Sequence, residues 1–179
     1  MWATHPDVIA RYARHHATGE QLDLAVVARL REAAGYGEGF ATAEYLGAAL
    51  LDQAWHHLAP DDVPTDPADV AGFEQRALAD AGLLLELVPP RYRSTYFNHT
   101  FGGGYDAGYY SYIWSEVLDA DTQAWFEEGE NGGLDASRGR RFRDVLLSRG
   151  HSAPPLSFYR ELRGRDADIT PLLVRRGLQ

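Results

Sequence analysis

The stretch 39-GFATAEYLGAALLDQAWHHL-58 decides the fold class. Tyr45, Ala49 and Gln53 fall on one face of a helix. Leu46, Leu50, Ala54 and His57 fall on the next. The segment is apolar most of the way round, which predicts a central helix over 39–58. Helical spacing continues on both sides of it. Upstream, 4-THPDVIARYARHH-16 offers Thr4 as an N-cap, Pro6 in the first turn and Asp7 three residues after Thr4. Val8, Ile9 and Tyr12 form its apolar face, and Gly19 in 18-TGE-20 is a turn residue. A second helix near 23–34 carries Leu24, Val27, Leu30 and Ala34 on one side.

Downstream, 59-APDDVPTDP-67 is a loop, and Asp66-Pro67 starts a helix running to about 83. The segment 88-VPPRYRSTYFNHTFGGG-104 has no clean helical period, because its prolines and glycines interrupt it at either end. Ordered loops of this length are commonly functional. A tyrosine-rich helix is expected over about 105–127, then a break at Gly132-Gly133 and a helix over 136–149 capped by Asp135. Pro154-Pro155 opens a short helix to about 163, and Thr170-Pro171 caps a last one. The expectation is an all-α chain forming one helical unit over 1–179, without internal repeats or low-complexity tracts.

Composition narrows the function. The chain has 179 residues, 45% hydrophobic and 24% charged, within the range of globular proteins. A net charge of -9 argues against a general affinity for nucleic acid. All 17 cationic residues are Arg, which reads as compositional bias. The absence of Cys excludes disulfides, thiolate metal sites and a Cys nucleophile, and fits a cytoplasmic protein. No apolar run approaches the roughly 18 residues of a membrane span, and no signal peptide is read at the Met1-Trp2 opening.

The chemistry-bearing residues concentrate in 99-HTFGGGYDAGYYSYIW-114. If helical, Tyr105, Tyr109 and Tyr112 form one stripe, and Tyr110 points elsewhere. A stripe of this kind can simply be core. Phe would fill a core without a hydroxyl to satisfy, however, so three phenols on one side also fit the lining of a polar cleft. Gly102, Gly103 and Gly104 place a backbone free of side chains just before them, suited either to a plain turn or to close approach of a ligand. His99, Tyr105 and Tyr112 across that loop make a donor set for an oxyanion.

No metal site is read. His15-His16 and His56-His57 are adjacent pairs, which point about 100° apart on a helix and chelate poorly. His5, His99 and His151 are isolated. The stretch 137-SRGRRFRDVLLSRG-150 is basic, and is read as a solvated face with Phe142, Val145 and Leu146 turned inward.

The segment 88-VPPRYRSTYFNHTFGGGYDAGYYSYIWSEVLDAD-121 resembles the C-terminal part of the catalytic region of bacterial peptidyl-dipeptidases, a branch of the thimet oligopeptidase family of zinc metallopeptidases. The resemblance extends to 1-MWATHPDVIARYARHHATGE-20, 41-ATAEYLGAALLDQAWH-56, 139-GRRFRDVLLSRG-150 and 175-RRGL-178. It implies a largely helical, zincin-like peptidase that releases C-terminal dipeptides from oligopeptides. Zinc there is held by a His-Glu-x-x-His helix and a downstream Glu, none of which this sequence contains. By position the resemblance makes His99, Tyr105 and Tyr112 oxyanion-stabilising and substrate-holding, with Gly102, Gly103, Gly104 and Tyr109 lining the substrate. The implied partners are the oligopeptide and the upstream zinc-bearing part, with this chain alone inactive and holding no metal. The alternative is a non-catalytic helical module that binds peptides or another subunit.

Overall fold

The structure is a computed structural model and describes residues 2–178; the end residues of the expected unit, Met1 and Gln179, lie outside the described residues. The fold is all-α, with no β-strand among the described residues. The helices are α1 (Pro6–Tyr12), α2 (Leu24–Ala33), α3 (Glu38–His56), α4 (Pro67–Asp80), α5 (Asn98–Phe101), α6 (Ser111–Glu127), α7 (Ala136–Val145), α8 (Pro155–Arg163) and α9 (Thr170–Arg175). No helix among the described residues is long and apolar enough to cross a membrane.

Local chemistry explains most of the starts. Asp23 caps α2 through the Ala25 amide at 2.9 Å, and Asp66 caps α4 through the Ala68 amide at 2.8 Å, with Pro67 first in the helix. Asp135 accepts from the Ser137 amide at 2.7 Å and caps α7, which ends at Val145 and gives way to a short 3-10 turn over Leu147–Arg149. Two expected caps differ. The N-cap of α1 is His5, whose Nδ1 accepts from the Asp7 amide at 3.3 Å, because a 3-10 turn over Trp2–Thr4 precedes it. Thr170 is the first residue of α9, and its amide donates to Asp168 Oδ1 at 2.9 Å. Helix α1 also stops at Tyr12, so His15 and His16 lie in a turn rather than on a helix; Gly19 closes that turn at φ 72°.

The chain divides into two compact units: Gly37–Ser115, and the residues up to Tyr36 together with those from Glu116 onward. In the 37–115 unit, α3 packs on α4, with the Trp55 ring 4.1 Å from that of Phe73. The long segment after α4 is pinned to this pair. A Cβ on Gly47 would lie 3.2 Å from Pro90 Cβ, so glycine lets the chain lie against α3, where the Arg91 amide donates to the Glu44 carbonyl at 2.9 Å. Buried Glu74 accepts from the Ser94 amide and hydroxyl, both at 3.0 Å, and pairs with Arg93. Trp55 Nε1 completes the network by donating to Ser94 Oγ at 2.8 Å. On α3 itself Ala48, Ala49, Leu51 and Asp52 are buried, whereas Leu50 is exposed, so the helix is more one-sided than its composition suggests.

In the other unit, Phe126 is ringed by Trp2, Trp125 and Phe142 at centroid distances of 5.2, 5.0 and 5.5 Å. Phe142, Val145 and Leu146 pack against the core of Trp125, Phe126 and Leu162, so the Arg-rich stretch does turn its apolar residues inward. Fully buried Asp121 on α6 gathers Tyr159 Oη at 2.7 Å, Arg163 Nε at 3.1 Å, two Arg165 nitrogens at 2.8 and 2.7 Å, and the Asp168 amide at 3.2 Å. Taking a carboxylate out of water is costly unless every lone pair is met, and here the donors meet them.

Candidate active site

One side of α3 shapes the segment that carries the tyrosines. Asp52 accepts from the Tyr109 amide at 2.9 Å and the Ala107 amide at 3.2 Å. Gln53 Nε2 donates to the Ala107 carbonyl at 2.7 Å. Tyr45 Oη donates to the Tyr109 carbonyl at 2.8 Å and accepts from the Ile113 amide at 3.1 Å. Ala107 has φ 53°, a left-handed conformation unusual for a residue with a Cβ. These bonds take the backbone of 107–109 out of helical geometry, so α6 begins at Ser111 and not at 105. The expected helical stripe of Tyr105, Tyr109 and Tyr112 therefore does not form; Tyr105 lies in irregular backbone, Tyr109 in a turn, and Tyr112 on the helix.

The glycines fold the chain back on α5. A Cβ on Gly103 would sit 2.9 Å from both the Cα and the carbonyl oxygen of His99, a collision with backbone that cannot be relieved by a rotamer change. Gly104 has φ 78°, and the Tyr105 amide then donates to the His99 carbonyl at 3.2 Å. Gly102 is also tight, since a Cβ there would lie 3.2 Å from Asn98 Oδ1. All three are exposed. Their first effect is to bring Tyr105 beside His99.

Ring contacts assemble the rest. The His99 imidazole lies 5.0 Å from Tyr92, 5.3 Å from Phe97, 5.5 Å from Tyr109 and 6.4 Å from Tyr105. Tyr109 stacks on Tyr45 at 5.1 Å and meets Tyr112 edge-on at 5.3 Å. Tyr109 is only 4% exposed, whereas Tyr105 and Tyr112 are 57% and 55% exposed. The four residues thus form one group with Tyr109 as its buried centre and the phenols of Tyr105 and Tyr112 at its open side. His99 is half-buried between them.

Burial pushes the Tyr109 phenol up from 10.0 to about 12. The unfolded chain ionises this group near 10, so its contribution to stability is complete below that pH and is lost as pH rises towards 12. Urea unfolding measured across this alkaline range is expected to show stability falling. The fall should be shallower in Tyr109→Phe, with Tyr159, also raised by burial and by its bond to Asp121, supplying the remainder.

Among the described residues no group of three or more His, Asp or Glu side chains comes together to hold a metal ion. His56 Nδ1 hydrogen-bonds with the Asp52 main-chain carbonyl at 2.8 Å and lies 2.9 Å from Asp52 Oδ1, and His15 uses Nδ1 to accept from the Thr18 amide at 3.2 Å.

A family profile described as Peptidase family M3 matches residues 1–178. The chain belongs to peptidase family M3. It is 48% identical over 177 residues to the dipeptidyl carboxypeptidase of Salmonella typhimurium, covering 99% of this chain and 25% of that protein. The Escherichia coli protein of the same name is 46% identical over 177 residues, with the same coverage of both chains. Oligopeptidase A of Escherichia coli is 31% identical over 181 residues, again 99% of this chain and 25% of the relative. The chain spans about a quarter of the length of these M3 relatives.

Asp52 is the residue that reading the sequence did not single out. Its signal was present: a carboxylate directly after the apolar run Leu46–Leu51, where an unpaired charge is not tolerated. Which backbone it would hold lay more than fifty residues away, at a separation of 57 for Tyr109.

Proposed function

We propose that this chain is the oxyanion-stabilising and substrate-holding part of a zinc peptidyl-dipeptidase that releases C-terminal dipeptides from oligopeptides. The observation that carries the reading is the grouping of His99, Tyr105 and Tyr112 around buried Tyr109, with both outer phenols exposed. A half-buried imidazole N–H and two phenol O–H groups are donors that can meet negative charge as it develops on a peptide carbonyl oxygen. Donors fixed by packing need little reorganisation when that charge appears, which is what makes such a group catalytic. Gly102, Gly103 and Gly104 leave an exposed backbone beside the donors, against which an extended peptide can run.

Zinc in such a peptidase activates the attacking water. The residues described here do not assemble a ligand set for it. The zinc ligands and the general base are assigned to the part of the M3 relatives that this chain does not span, and that part is its proposed partner.

The test is dipeptide release from a short N-blocked peptide. The chain alone is expected to release none and to purify without zinc. The chain combined with the complementary part of the peptidase is expected to be active and zinc-dependent. Turnover by the chain alone would overturn the assignment.

A further inference from the structure

We propose that Asp52, steadied by His56, is a positioning residue for this site: it latches the 107–109 backbone to α3 and so fixes where the Tyr105 and Tyr112 hydroxyls stand relative to His99. The proposal rests on the site reading above.

Asp52 is 0% exposed, and each of its oxygens has a defined task. Oδ2 takes the Tyr109 amide at 2.9 Å. Oδ1 takes the Ala107 amide at 3.2 Å and lies 2.9 Å from His56 Nδ1, which also hydrogen-bonds with the Asp52 main-chain carbonyl at 2.8 Å. His56 sits one turn further along α3, and its ring stacks on Phe101 at 5.7 Å, so the carboxylate is held between its own helix and α5. The two amides belong to left-handed Ala107, in the Asp106–Ala107 turn, and to Tyr109 just beyond it. A residue with a Cβ holds φ 53° only where its surroundings compensate, and the two charge-assisted bonds are that compensation. Tyr105 precedes this turn and Tyr112 follows it, so a loosened turn moves both phenols while leaving His99 on its own segment. Asp52 touches no substrate in this account. It acts through the backbone.

Asparagine at 52 keeps the shape of the side chain. It turns one acceptor into an NH2 that faces an amide N–H, so one latch bond becomes a clash of donors. In the wild-type chain the Ala107 and Tyr109 amides, although outside any helix, are expected to resist hydrogen exchange. In Asp52→Asn they should exchange ~10–100-fold faster while the centre of α3 is unchanged. In the peptidase that includes this chain, Asp52→Asn should lower kcat by up to ~10²-fold with KM little altered, since displacement of catalytic groups by about 1 Å has effects of that order. His56→Gln, which leaves both amide bonds in place, should give a smaller loss of the same kind.

Unprotected Ala107 and Tyr109 amides in the wild-type chain overturn the latch, and this measurement needs no variant to fold. Faster exchange in Asp52→Asn with kcat intact overturns the positioning role. Tyr112→Phe separates the two ideas. If Tyr112→Phe lowers kcat and Asp52→Asn does not, the positioning proposal fails and the site reading stands. If Tyr112→Phe leaves kcat intact, the site reading itself fails.

Discussion

Replacing Tyr112 with Phe is expected to lower kcat of the full peptidase by ~10²–10³-fold while leaving KM nearly unchanged, the loss typical of removing one oxyanion donor. The substitution deletes a single oxygen. Tyr112 is 55% exposed, so no buried partner is abandoned, and its ring can keep the edge-on contact with Tyr109 at 5.3 Å. A loss confined to kcat therefore reports a hydroxyl that acts chiefly in the transition state. His99→Phe should behave in the same way. The ring still fits against Tyr92, Phe97 and Tyr109, but the N–H is gone. Tyr110→Phe serves as the control, because Tyr110 is exposed and belongs to none of the ring contacts around His99. Steady-state kinetics on a blocked peptide, with thermal unfolding run in parallel, decide the matter. A rise in KM at constant kcat would mean that these groups hold the ground-state peptide instead.

The second large effect is on stability. Asp121→Ala is expected to destabilise the chain by about 3–5 kcal/mol, because removing one member of a buried charged network leaves the others uncompensated. Arg163 would retain only Glu128, to which it donates at 2.9 and 2.7 Å, and Tyr159 would keep a buried hydroxyl without its acceptor. Asp121→Asn preserves the shape and should cost less. Burial works to raise the Asp121 carboxyl, but hydrogen bonds from Arg165, Tyr159, the Asp168 amide and Arg163 outweigh it and hold the group below its ordinary 3.8. Its stabilisation is thus present above that value and is lost as pH falls through the depressed native one. Urea titration of both variants at neutral and acid pH checks magnitude and sign together. Near-wild-type stability in Asp121→Ala would show that the ring of arginines is surface decoration.

Several helices were legible in the sequence because their causes were local. Asp66 before Pro67, and Asp135 before its helix, are caps that act within three residues, and both are found. Phe142, Val145 and Leu146 lie inward as their spacing indicates. Even short-range reading went astray where a neighbour competed. Trp2–Thr4 forms its own 3-10 turn and hands the cap of α1 from Thr4 to His5.

The proximity of the candidate residues was suggested by composition, but their shape was not. His99, the glycines and the tyrosines stood out as residue types, yet a helical stripe was the wrong geometry for them. Helical periodicity is sensed within a few residues, whereas the start of α6 is set by Asp52, Gln53 and Tyr45 from another helix. The glycines have a similar history. Their conformational freedom was visible, but not that Gly103 is required because the His99 backbone occupies the space of its Cβ. Tyr109 differs from its neighbours for the same kind of reason. Two aromatic neighbours in the sequence say nothing of which ring will be covered, and stacking on Tyr45 makes this one the centre of the group.

The central claim is that His99, Tyr105 and Tyr112 bind the transition state more tightly than the peptide. Its most direct test compares the affinity of the full peptidase for a phosphinic analogue of the tetrahedral intermediate with its affinity for the matching non-cleaved peptide, in wild type and in Tyr112→Phe. The account predicts that the variant loses analogue affinity by the same factor as kcat/KM and keeps its peptide affinity. Equal loss for both ligands, or none for the analogue, would contradict it.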